Sequence, residues 1–508
     1  MDKYIIGIDQ STQGTKVILF DENGRIVLRA NRNHRQIVNE QGWVEHDPKE
    51  IWQNLLGCVS ELLVKSAVNP AQVVGVGITN QRETAAAWHR ATGKPVYNAI
   101  VWQCARGEGL CSRLAETHPE AAETVRKKTG LRLSPYFSAA KWGWLMENVP
   151  ELRIQAQAGE LCFGTMDSYL VYRLTNGASF LTDYSNASRT QLFDIHQLSW
   201  DAQLCEYFGV PRCCLPGLMD SDGCYGETDF CGILPRKIPI HGVMGDSHAA
   251  LFGQGCLERG MVKATYGTGS SIMMNIGTDP LLSENDLVTS LAWKIGGQVQ
   301  YVLEGNINYT GAVITWLKDD LHLINSAEET EALACAANPA DRTIMVPAFS
   351  GLGAPYWDSS ARAAIVGMSR TTGCNEIIRA ALDCIAYQIT DVVELMRRES
   401  GVSSVELRAD GGPTRNGYLM QLQADLIGST VCVPDTEELS CIGAAWAAGL
   451  ALGVYTDRVF GSIPTRTLTA LMSCDERNER LAVWAEAVHS IRKYSRPVRK
   501  REKENAAC

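Results

Sequence analysis

Two segments of the chain repeat one pattern, a strand followed by a turn of small residues and a second strand. The first reads YIIGIDQSTQGTKVILF (residues 4 to 20), and the second reads VKATYGTGSSIMMN (residues 262 to 275). Both flanks are rich in β-branched residues, which favour strands, and both turns consist mainly of small or hydroxylic residues. The repeated pattern predicts two related halves that face one ligand.

The first turn carries residues suited to an anion and a metal ion. Small residues let backbone N–H groups approach a phosphate closely, and Lys16 adds a positive charge. Asp9, at the end of the first strand, would hold a metal on that phosphate. A polar hairpin turn is the alternative interpretation, and this turn alone does not decide between the two.

Length and composition restrict the class of protein. A chain of 508 residues, 45% hydrophobic and 20% charged, is typical of a folded protein with two or three domains. The net charge of −10 argues against a nucleic-acid surface, and the basic run at 492 to 504 is expected to be a solvated tail.

No apolar run approaches the roughly 20 residues of a membrane span, and no signal peptide precedes the first strand, so a cytoplasmic protein is expected. No C-x-x-C pair occurs among the 17 cysteines, which favours reduced thiols.

Strand-like and helical segments alternate along the chain. The apolar run VVGVGIT (residues 73 to 79) follows IWQNLLGCVSELLVKSA (residues 51 to 67), whose apolar residues recur at helical spacing. This alternation is the pattern of an α/β protein.

A third glycine-rich turn lies in LRADGGPTRNGYLMQLQADLIG (residues 407 to 428). An apolar strand ends in Asp410, and a glycine pair, Gly411 and Gly412, precedes a helical pattern. Such a pair lets a flat or anionic ligand lie against the backbone and the helix N-terminus. A plain strand-to-helix turn is the alternative, but three such turns in one chain favour a nucleotide.

Two polar strand ends are candidates for a second ligand. ITNQRETAAAW (residues 78 to 88) ends a strand with Arg82 and Glu83, which either bind hydroxyl groups in a cleft or form a surface ion pair. GVMGDSHAALFGQG (residues 242 to 255) places Asp246 at a strand end, as a helix N-cap or a general base. Local sequence favours the cap.

Taken together, these segments resemble the FGGY family of carbohydrate kinases, and within it the glycerol kinases most closely. The resemblance runs nearly from end to end, and it includes GWVEHDPKEIW, ITNQRET, PYFSAAK, TYGTG and VPAFSGLGAPYWD. It implies an α/β fold of two actin-like, ribonuclease H-like domains around a central cleft. The implied division is residues 1–252 for acceptor and phosphate, residues 253–460 for nucleotide, and a C-terminal helix with a charged tail at residues 461–508.

The resemblance also implies a function. It points to ATP-dependent phosphorylation of a small polyol, glycerol first, with ATP and Mg²⁺ bound, in a cytoplasmic homodimer or homotetramer. Asp246 matches the family's catalytic aspartate and would act as general base. Two alternatives stay open: a kinase for a larger polyol or ketose such as erythritol or xylulose, and a non-catalytic, nucleotide-gated binding protein.

The site residues that the resemblance implies form three groups. The acceptor group is Arg82, Glu83, Trp102, Tyr136, Asp246, Ser247 and Ser271. The nucleotide and phosphate group is Thr12, Gln13, Lys16, Gly267, Thr268, Gly311, Gly412 and Asn416. The metal group is Asp9 and Asp246.

This chain departs from the family's pattern at several of these positions. Ser11, Gln13 and Lys16 differ in the first turn, where lysine for the usual arginine keeps the charge but loses the planar fork. Ser247 replaces a glutamine and Ser271 replaces a phenylalanine. Both latter changes remove bulk, so the pocket either takes a longer polyol or ketose, or is refilled by other side chains and fits glycerol.

Overall fold

A computed structural model describes residues 2–495, so the predicted basic tail lies mostly outside the described residues. The strands are β1 Tyr4–Gln10, β2 Gly14–Phe20, β3 Ile26–Asn33, β4 Ile37–Val38, β5 Val44–His46, β6 Val73–Asn80, β7 Ala86–His89, β8 Ala99–Ile100, β9 Leu161–Gly164, β10 Leu181–Asp183, β11 Phe193–Asp194, β12 Ser199–Trp200, β13 Gly217–Met219, β14 Glu227–Thr228, β15 Ile238–Gly245, β16 Met261–Tyr266, β17 Ser270–Gly277, β18 Val288–Ile295, β19 Gln298–Ile307, β20 Ile344–Val346, β21 Ala364–Val366, β22 Glu406–Asp410, β23 Val431–Pro434 and β24 Thr465–Leu468.

Helices connect these strands and cover the sheets. They are α1 Pro48–Ser66, α2 Glu108–Thr117, α3 Ala121–Thr129, α4 Ser138–Asn148, α5 Pro150–Gln157, α6 Met166–Leu174, α7 Tyr184–Ala187, α8 Ala202–Tyr207, α9 Asp246–Gly253, α10 Gly311–Asp319, α11 Glu329–Cys335, α12 Cys374–Ser400, α13 Gly417–Ile427, α14 Leu439–Ala451 and α15 Cys474–Ser495. The predicted α/β class is confirmed.

Two large sheets repeat one topology. The first has the order β14-β15-β6-β1-β2-β3, and the second has the order β18-β19-β17-β16-β22-β23-β24. In the first, β1 and β2 form an antiparallel hairpin and β6 runs parallel to β1. In the second, β16 and β17 form the hairpin and β22 runs parallel to β16. The prediction of two related halves, made from the repeated turns, is therefore confirmed.

Helices α9 and α14 lie between the two sheets and join the halves. Helix α14 belongs to the second half in sequence, yet it packs on β1, β6 and β15 of the first sheet. The approach is close: a Cβ atom at Gly77 in β6 would lie 2.3 Å from the Ala444 carbonyl oxygen, and one at Gly443 would lie 1.8 Å from the Ala249 carbonyl oxygen. Only glycine allows these backbones to touch.

Two further observations concern the cysteines and the hydropathy of the helices. The sixteen cysteines in the described part of the chain are all free thiols. None of the helices between residues 2 and 495 combines the length and the hydropathy of a membrane span.

Candidate functional site

Two neighbouring cavities lie near the strand ends, one lined by residues of both halves and the other by residues of the second half. The first, which we call the polar cavity, has a volume of about 630 Å³. The second, which we call the nucleotide-side cavity, has a volume of about 560 Å³ and is bounded by α10, α12 and α13. Sequence-predicted residues that line the polar cavity are Thr12, Arg82, Glu83, Trp102, Tyr136, Asp246, Ser247, Gly267 and Ser271. Those that line the nucleotide-side cavity are Gly311, Gly412 and Asn416.

Two residues of the first turn are not among the residues that line these cavities. Gln13 is exposed at the tip of the turn. Lys16 directs its ammonium group to the Glu438 carboxylate, which lies just before α14 and also accepts a hydrogen bond of 2.9 Å from Arg29. The charge of Lys16 is thus already paired, which the local sequence did not indicate.

Asp9 stands in β1, directly across the ladder from Lys16. Its Oδ1 atom is buried and has no hydrogen-bond partner among residues 2–495. Burial raises the pKa of Asp9 to about 7, and Lys16 opposes that rise, whereas Asp246 and Glu438 add to it. A buried carboxylate oxygen without a partner is costly unless a cation neutralises it.

The arrangement around Asp9 fits a magnesium ion. Mg²⁺ in phosphotransfer sites is held by one or two carboxylates, with phosphate and water oxygens completing its shell. Asp9 and Asp246 supply two carboxylates that influence each other electrostatically. Among residues 2–495, no group of three or more histidine, cysteine or acidic side chains is placed to hold a metal ion by itself. The two carboxylates of Asp9 and Asp246 fit a cation whose other ligands are phosphate and water oxygens.

Asp246 begins α9 immediately after β15. The N-cap is Gly245, and no side chain caps this helix end, so the N-cap interpretation of Asp246 is wrong. Its Oδ1 accepts a hydrogen bond of 2.6 Å from the Ser247 N–H and lies 3.3 Å from Arg82 Nε. The side chain is 34% exposed, so this carboxylate is oriented by the protein and still open to the cavity.

Arg82 and Glu83 belong to a buried ion-pair network, so the surface ion-pair interpretation is wrong. Arg82 donates two hydrogen bonds to Glu304, of 2.8 and 3.1 Å. Arg189 donates to Glu83 Oε1 at 2.6 Å and also lies 3.2 Å from Glu304. These four side chains are between 1% and 7% exposed.

The charges of this network are set by mutual pairing. Burial alone would raise the pKa of Glu304, but Arg189 and Arg82 hold it well below its usual range. The carboxylates of Glu304 and Glu83 raise the pKa of Arg82 well above its usual value, although burial opposes this. A bidentate arginine–carboxylate pair fixes the orientation of both side chains as well as their charges. The Arg82 side chain is consequently held rigid at the edge of the polar cavity.

Sequence reasoning did not single out Glu304 or Arg189. A signal was available in YVLEGNI (residues 301 to 307), where one acidic residue interrupts an apolar strand. A charged residue in a buried strand almost always has a partner. Its partners, Arg82 and Arg189, are distant in sequence and lie in the other half of the molecule.

An aromatic pair forms one wall of the polar cavity. The rings of Trp102 and Tyr136 meet edge to face with centroids 5.5 Å apart. The Trp102 indole N–H donates to Thr12 Oγ1 at 2.9 Å, which ties this wall to the first turn. Beneath it, the buried Lys141 ammonium donates to the backbone carbonyls of Pro135, Tyr136 and Phe137. The aromatic wall therefore presents an apolar surface to the cavity, and hydrogen bonds to Thr12 and Lys141 hold it in place.

Ser247 and Ser271 both line the polar cavity, as the resemblance implied. Ser271 lies opposite Asn306 in the ladder between β17 and β19. Asn306, Ile307 and Asn308 line the same cavity, and sequence reasoning did not identify them. Each of these three side chains is larger than that of serine, so the bulk absent at Ser247 and Ser271 is present at neighbouring lining positions.

The nucleotide-side cavity has apolar walls beside a glycine turn. Its apolar side chains include Ile314, Leu382 and Ile385. Gly411 has a φ of 98°, and a Cβ atom there would lie 2.1 Å from the Tyr266 carbonyl oxygen, so the turn requires glycine. A flat aromatic ligand fits between such walls and the exposed backbone of Gly412.

Asn416 lines this cavity but already uses its side chain within the protein. Its Oδ1 caps α13 by accepting from the Leu419 N–H at 2.9 Å, and its Nδ2 donates to Thr330 Oγ1 at 3.0 Å. The side chain therefore shapes the cavity wall and fixes the helix N-terminus.

The second hairpin turn connects the two cavities. The Gly311 N–H at the start of α10 donates to the Gly267 carbonyl at 2.9 Å, and the Thr310 N–H donates to the Thr268 carbonyl at 2.9 Å. Gly267 lines the polar cavity and Gly311 lines the other. A ligand that fills both cavities would pass this turn.

Comparison with known proteins agrees with this geometry. The FGGY family of carbohydrate kinases matches through its N-terminal domain at residues 4–253 and its C-terminal domain at residues 262–452. A glycerol kinase of Oceanobacillus iheyensis is 44% identical over 97% of this chain and 99% of its own length. Glycerol kinase 1 of Thermotoga maritima is 48% identical over 89% of this chain and 92% of its own length.

Solved structures share the fold. A Plasmodium falciparum glycerol kinase with ADP has a TM-score of 0.91 at 35% identity, over 96% of this chain and 98% of that one. A xylulose kinase from Lactobacillus acidophilus has a TM-score of 0.84 at 20% identity, over 96% of this chain and 98% of that one, and so supports the fold alone. With both family domains present and relatives similar over nearly their whole length, this chain belongs to the FGGY family of carbohydrate kinases.

Proposed function

We propose that this protein transfers the γ-phosphoryl group of ATP to glycerol and forms glycerol 3-phosphate, with Asp246 as general base. The observation that carries the proposal is the position of Asp246, which is oriented by Arg82 and open to a polar cavity. That cavity neighbours a second one suited to a nucleotide. The relatives named glycerol kinase, at 44% and 48% identity, support glycerol as the acceptor.

The acceptor would lie between the charged network and the aromatic wall. Arg82, Glu83 and Tyr136 offer hydrogen bonds to its hydroxyls, while Trp102 packs against its carbon chain. Asp246 takes the proton of the attacking hydroxyl as the new P–O bond forms and the bond to the bridging oxygen of ADP breaks. Such positioned proton transfer contributes about 10²–10⁴-fold.

The phosphates would lie at the two hairpin turns. Thr12 and the Gly267–Thr268 turn approach the γ-phosphate from opposite halves, and adenosine lies beside Gly412 and Asn416. Magnesium, held by Asp9 and Asp246, would neutralise charge on the phosphates. Water competes with the acceptor for phosphoryl groups, so closure of the halves around the cleft favours transfer to the polyol.

A larger polyol or ketose is the second candidate acceptor. Ser247 and Ser271 favour it because they reduce bulk, whereas Asn306 and Asn308, which line the same cavity, favour glycerol because they add bulk there. A cytoplasmic location and a homodimer or homotetramer also stay predictions, and light scattering of the purified chain measures the oligomeric state.

A panel of acceptors tests the proposal. ADP release is measured with ATP, Mg²⁺ and, in turn, glycerol, dihydroxyacetone, erythritol, xylitol and ketopentoses. We expect glycerol to give the highest kcat/KM. A higher value for a longer acceptor would replace glycerol as the substrate. ATP binding without acceptor-dependent ADP release from any compound would favour the nucleotide-gated binding protein instead.

A further inference from the structure

A buried lysine, Lys263, faces the polar cavity. Lys263 lies in β16, between Val262 and Ala264, which are buried in the core. Because side chains alternate along a strand, Lys263 projects to the opposite face, where it lines the polar cavity. It is 1% exposed, and within residues 2–495 its ammonium group forms no hydrogen bond and no ion pair within 4.0 Å.

The other fully buried lysine near the cleft behaves differently. The ammonium group of Lys141 donates to three backbone carbonyls, at residues 135, 136 and 137. That lysine is satisfied by the fold itself. Since an isolated buried ammonium is costly, the lack of any such partner for Lys263 indicates a group prepared for a ligand.

Of the cationic side chains that line the two cavities within residues 2–495, Lys263 is the one that forms no ion pair. Four cationic side chains line the two cavities in the described part of the chain, and three of them are in ion pairs. Arg82 pairs with Glu304 and Asp246, Lys318 with Asp319, and Arg415 with Glu437.

The carboxylates near Lys263 do not take the place of a bound anion. Burial lowers the pKa of Lys263, and the charges of Asp410, Asp246 and Glu304 oppose this. The Asp410 carboxylate already accepts hydrogen bonds from Thr265, at 3.1 Å, and from Gln254. An anion placed against the ammonium group would hold it protonated.

We propose that Lys263 is a further catalytic residue that binds oxygen atoms of the phosphoryl group as this group passes to the acceptor. The proposal rests on the proposed phosphotransfer function. Glycerol brings only neutral hydroxyls to the cavity, whereas the phosphoryl group in transfer carries negative charge on three oxygens. Lys263 lines the same polar cavity as Asp246 and Arg82, the cavity in which the acceptor is proposed to lie.

The test compares ADP alone with ADP plus aluminium fluoride, a stand-in for the phosphoryl group in transfer. Lys263→Met keeps the length of the side chain and removes the charge. In titrations of the full chain with Mg²⁺ and glycerol, we expect the Kd of ADP to stay within about twofold. The Kd measured with aluminium fluoride should rise by about 10-fold or more, since a charge-assisted hydrogen bond is lost.

Activity and stability provide a second readout. For Lys263→Met, kcat should fall by at least about 10-fold with little change in the KM of glycerol. The melting temperature should stay the same or rise, because an unpaired buried charge is removed. Lys294→Met is the matched control, since Lys294 pairs with Asp220 and lines neither cavity.

Three results would overturn the proposal: an unchanged aluminium fluoride complex, equal weakening of ADP and of that complex, or a lower melting temperature with normal fluoride binding. If Lys263→Met does not fold, Lys263→Gln gives the same comparison. The titrations need no turnover, so they test Lys263 even if the acceptor panel shows no acceptor-dependent ADP release.

Discussion

At the scale of single residues, Asp246 shows how one position combines two constraints. As the first residue of α9 it lies beside a free helix N-terminus, where negative charge is favoured. Its contact with Arg82 Nε, 3.3 Å from Oδ1, fixes the direction of the carboxylate. A general base has to be oriented toward the hydroxyl whose proton it takes.

Replacement of this carboxylate by an amide tests its role as general base. In Asp246→Asn the shape is kept and the proton acceptor is lost. We expect kcat to fall by about 10²-fold or more, while the KM of ATP stays close to that of the wild type. Asp220→Asn, at a carboxylate that pairs with Lys294 outside both cavities, is the control and should retain normal kcat. Near-normal turnover of Asp246→Asn would remove Asp246 from the catalytic role.

At the scale of elements, the ends of the strands supply the site and long helices hold the strands in place. Helix α15 shows how the strands are held, because it docks on α12 partly through the half-buried carboxylate of Asp391. Asp391 in α12 accepts hydrogen bonds from the Trp484 indole, at 2.7 Å, and from the Tyr356 hydroxyl, at 2.8 Å. The Trp484 ring also stacks on Tyr387.

The pH dependence of stability should report this contact. Burial raises the pKa of Asp391 to about 6, above the value of an unfolded aspartate, although its two donors oppose the rise. The folded state thus binds the proton more tightly, so this group's contribution to the free energy of unfolding falls as pH rises from about 4 to about 6. Asp391→Asn cannot titrate and keeps an acceptor oxygen.

Thermal melting at several pH values measures the effect. We expect the melting temperature of Asp391→Asn, relative to wild type, to rise between pH 4.5 and pH 7. Glu486→Gln, at an exposed position of α15, is the control and should show a smaller change. A difference between Asp391→Asn and wild type that is constant with pH would show that Asp391 does not titrate in this range.

At the scale of the whole molecule, Glu304 connects the two halves. It lies in β19 of the second sheet, whereas Arg82 and Arg189 belong to the first half. All three side chains are buried, so the pairing depends on how the halves approach each other. Acceptor binding at Arg82 and the arrangement of the halves are therefore coupled through one carboxylate.

Loss of the Glu304 charge should affect both stability and acceptor binding. Glu304→Gln leaves two buried guanidinium groups without their shared carboxylate, and breaking such a pair costs about 3–5 kcal/mol. We expect a lower melting temperature and a KM for glycerol that rises about 10-fold or more, with a smaller change for ATP. Glu406→Gln breaks a partly exposed pair with Arg408 and is the control, with an expected cost of about 0–1 kcal/mol. Equal changes in both KM values would argue against the coupling.

Short-range sequence patterns were sufficient to predict the local structure and many of the candidate residues. The β1–β2 hairpin, strand β6 and helix α13 follow from hydrophobic periodicity and turn residues, which act over a few positions. The polar strand ends at Arg82 and Asp246 were recognised for the same reason, and both line one cavity.

The tertiary structure alone establishes the contacts between distant segments. It paired Lys16 with Glu438 and Arg82 with Glu304, and it placed α14 on the sheet of the other half. These partners lie more than 200 residues apart in sequence. No local pattern specifies such pairs, because they form only when both sheets are in place and burial makes each unpaired charge costly.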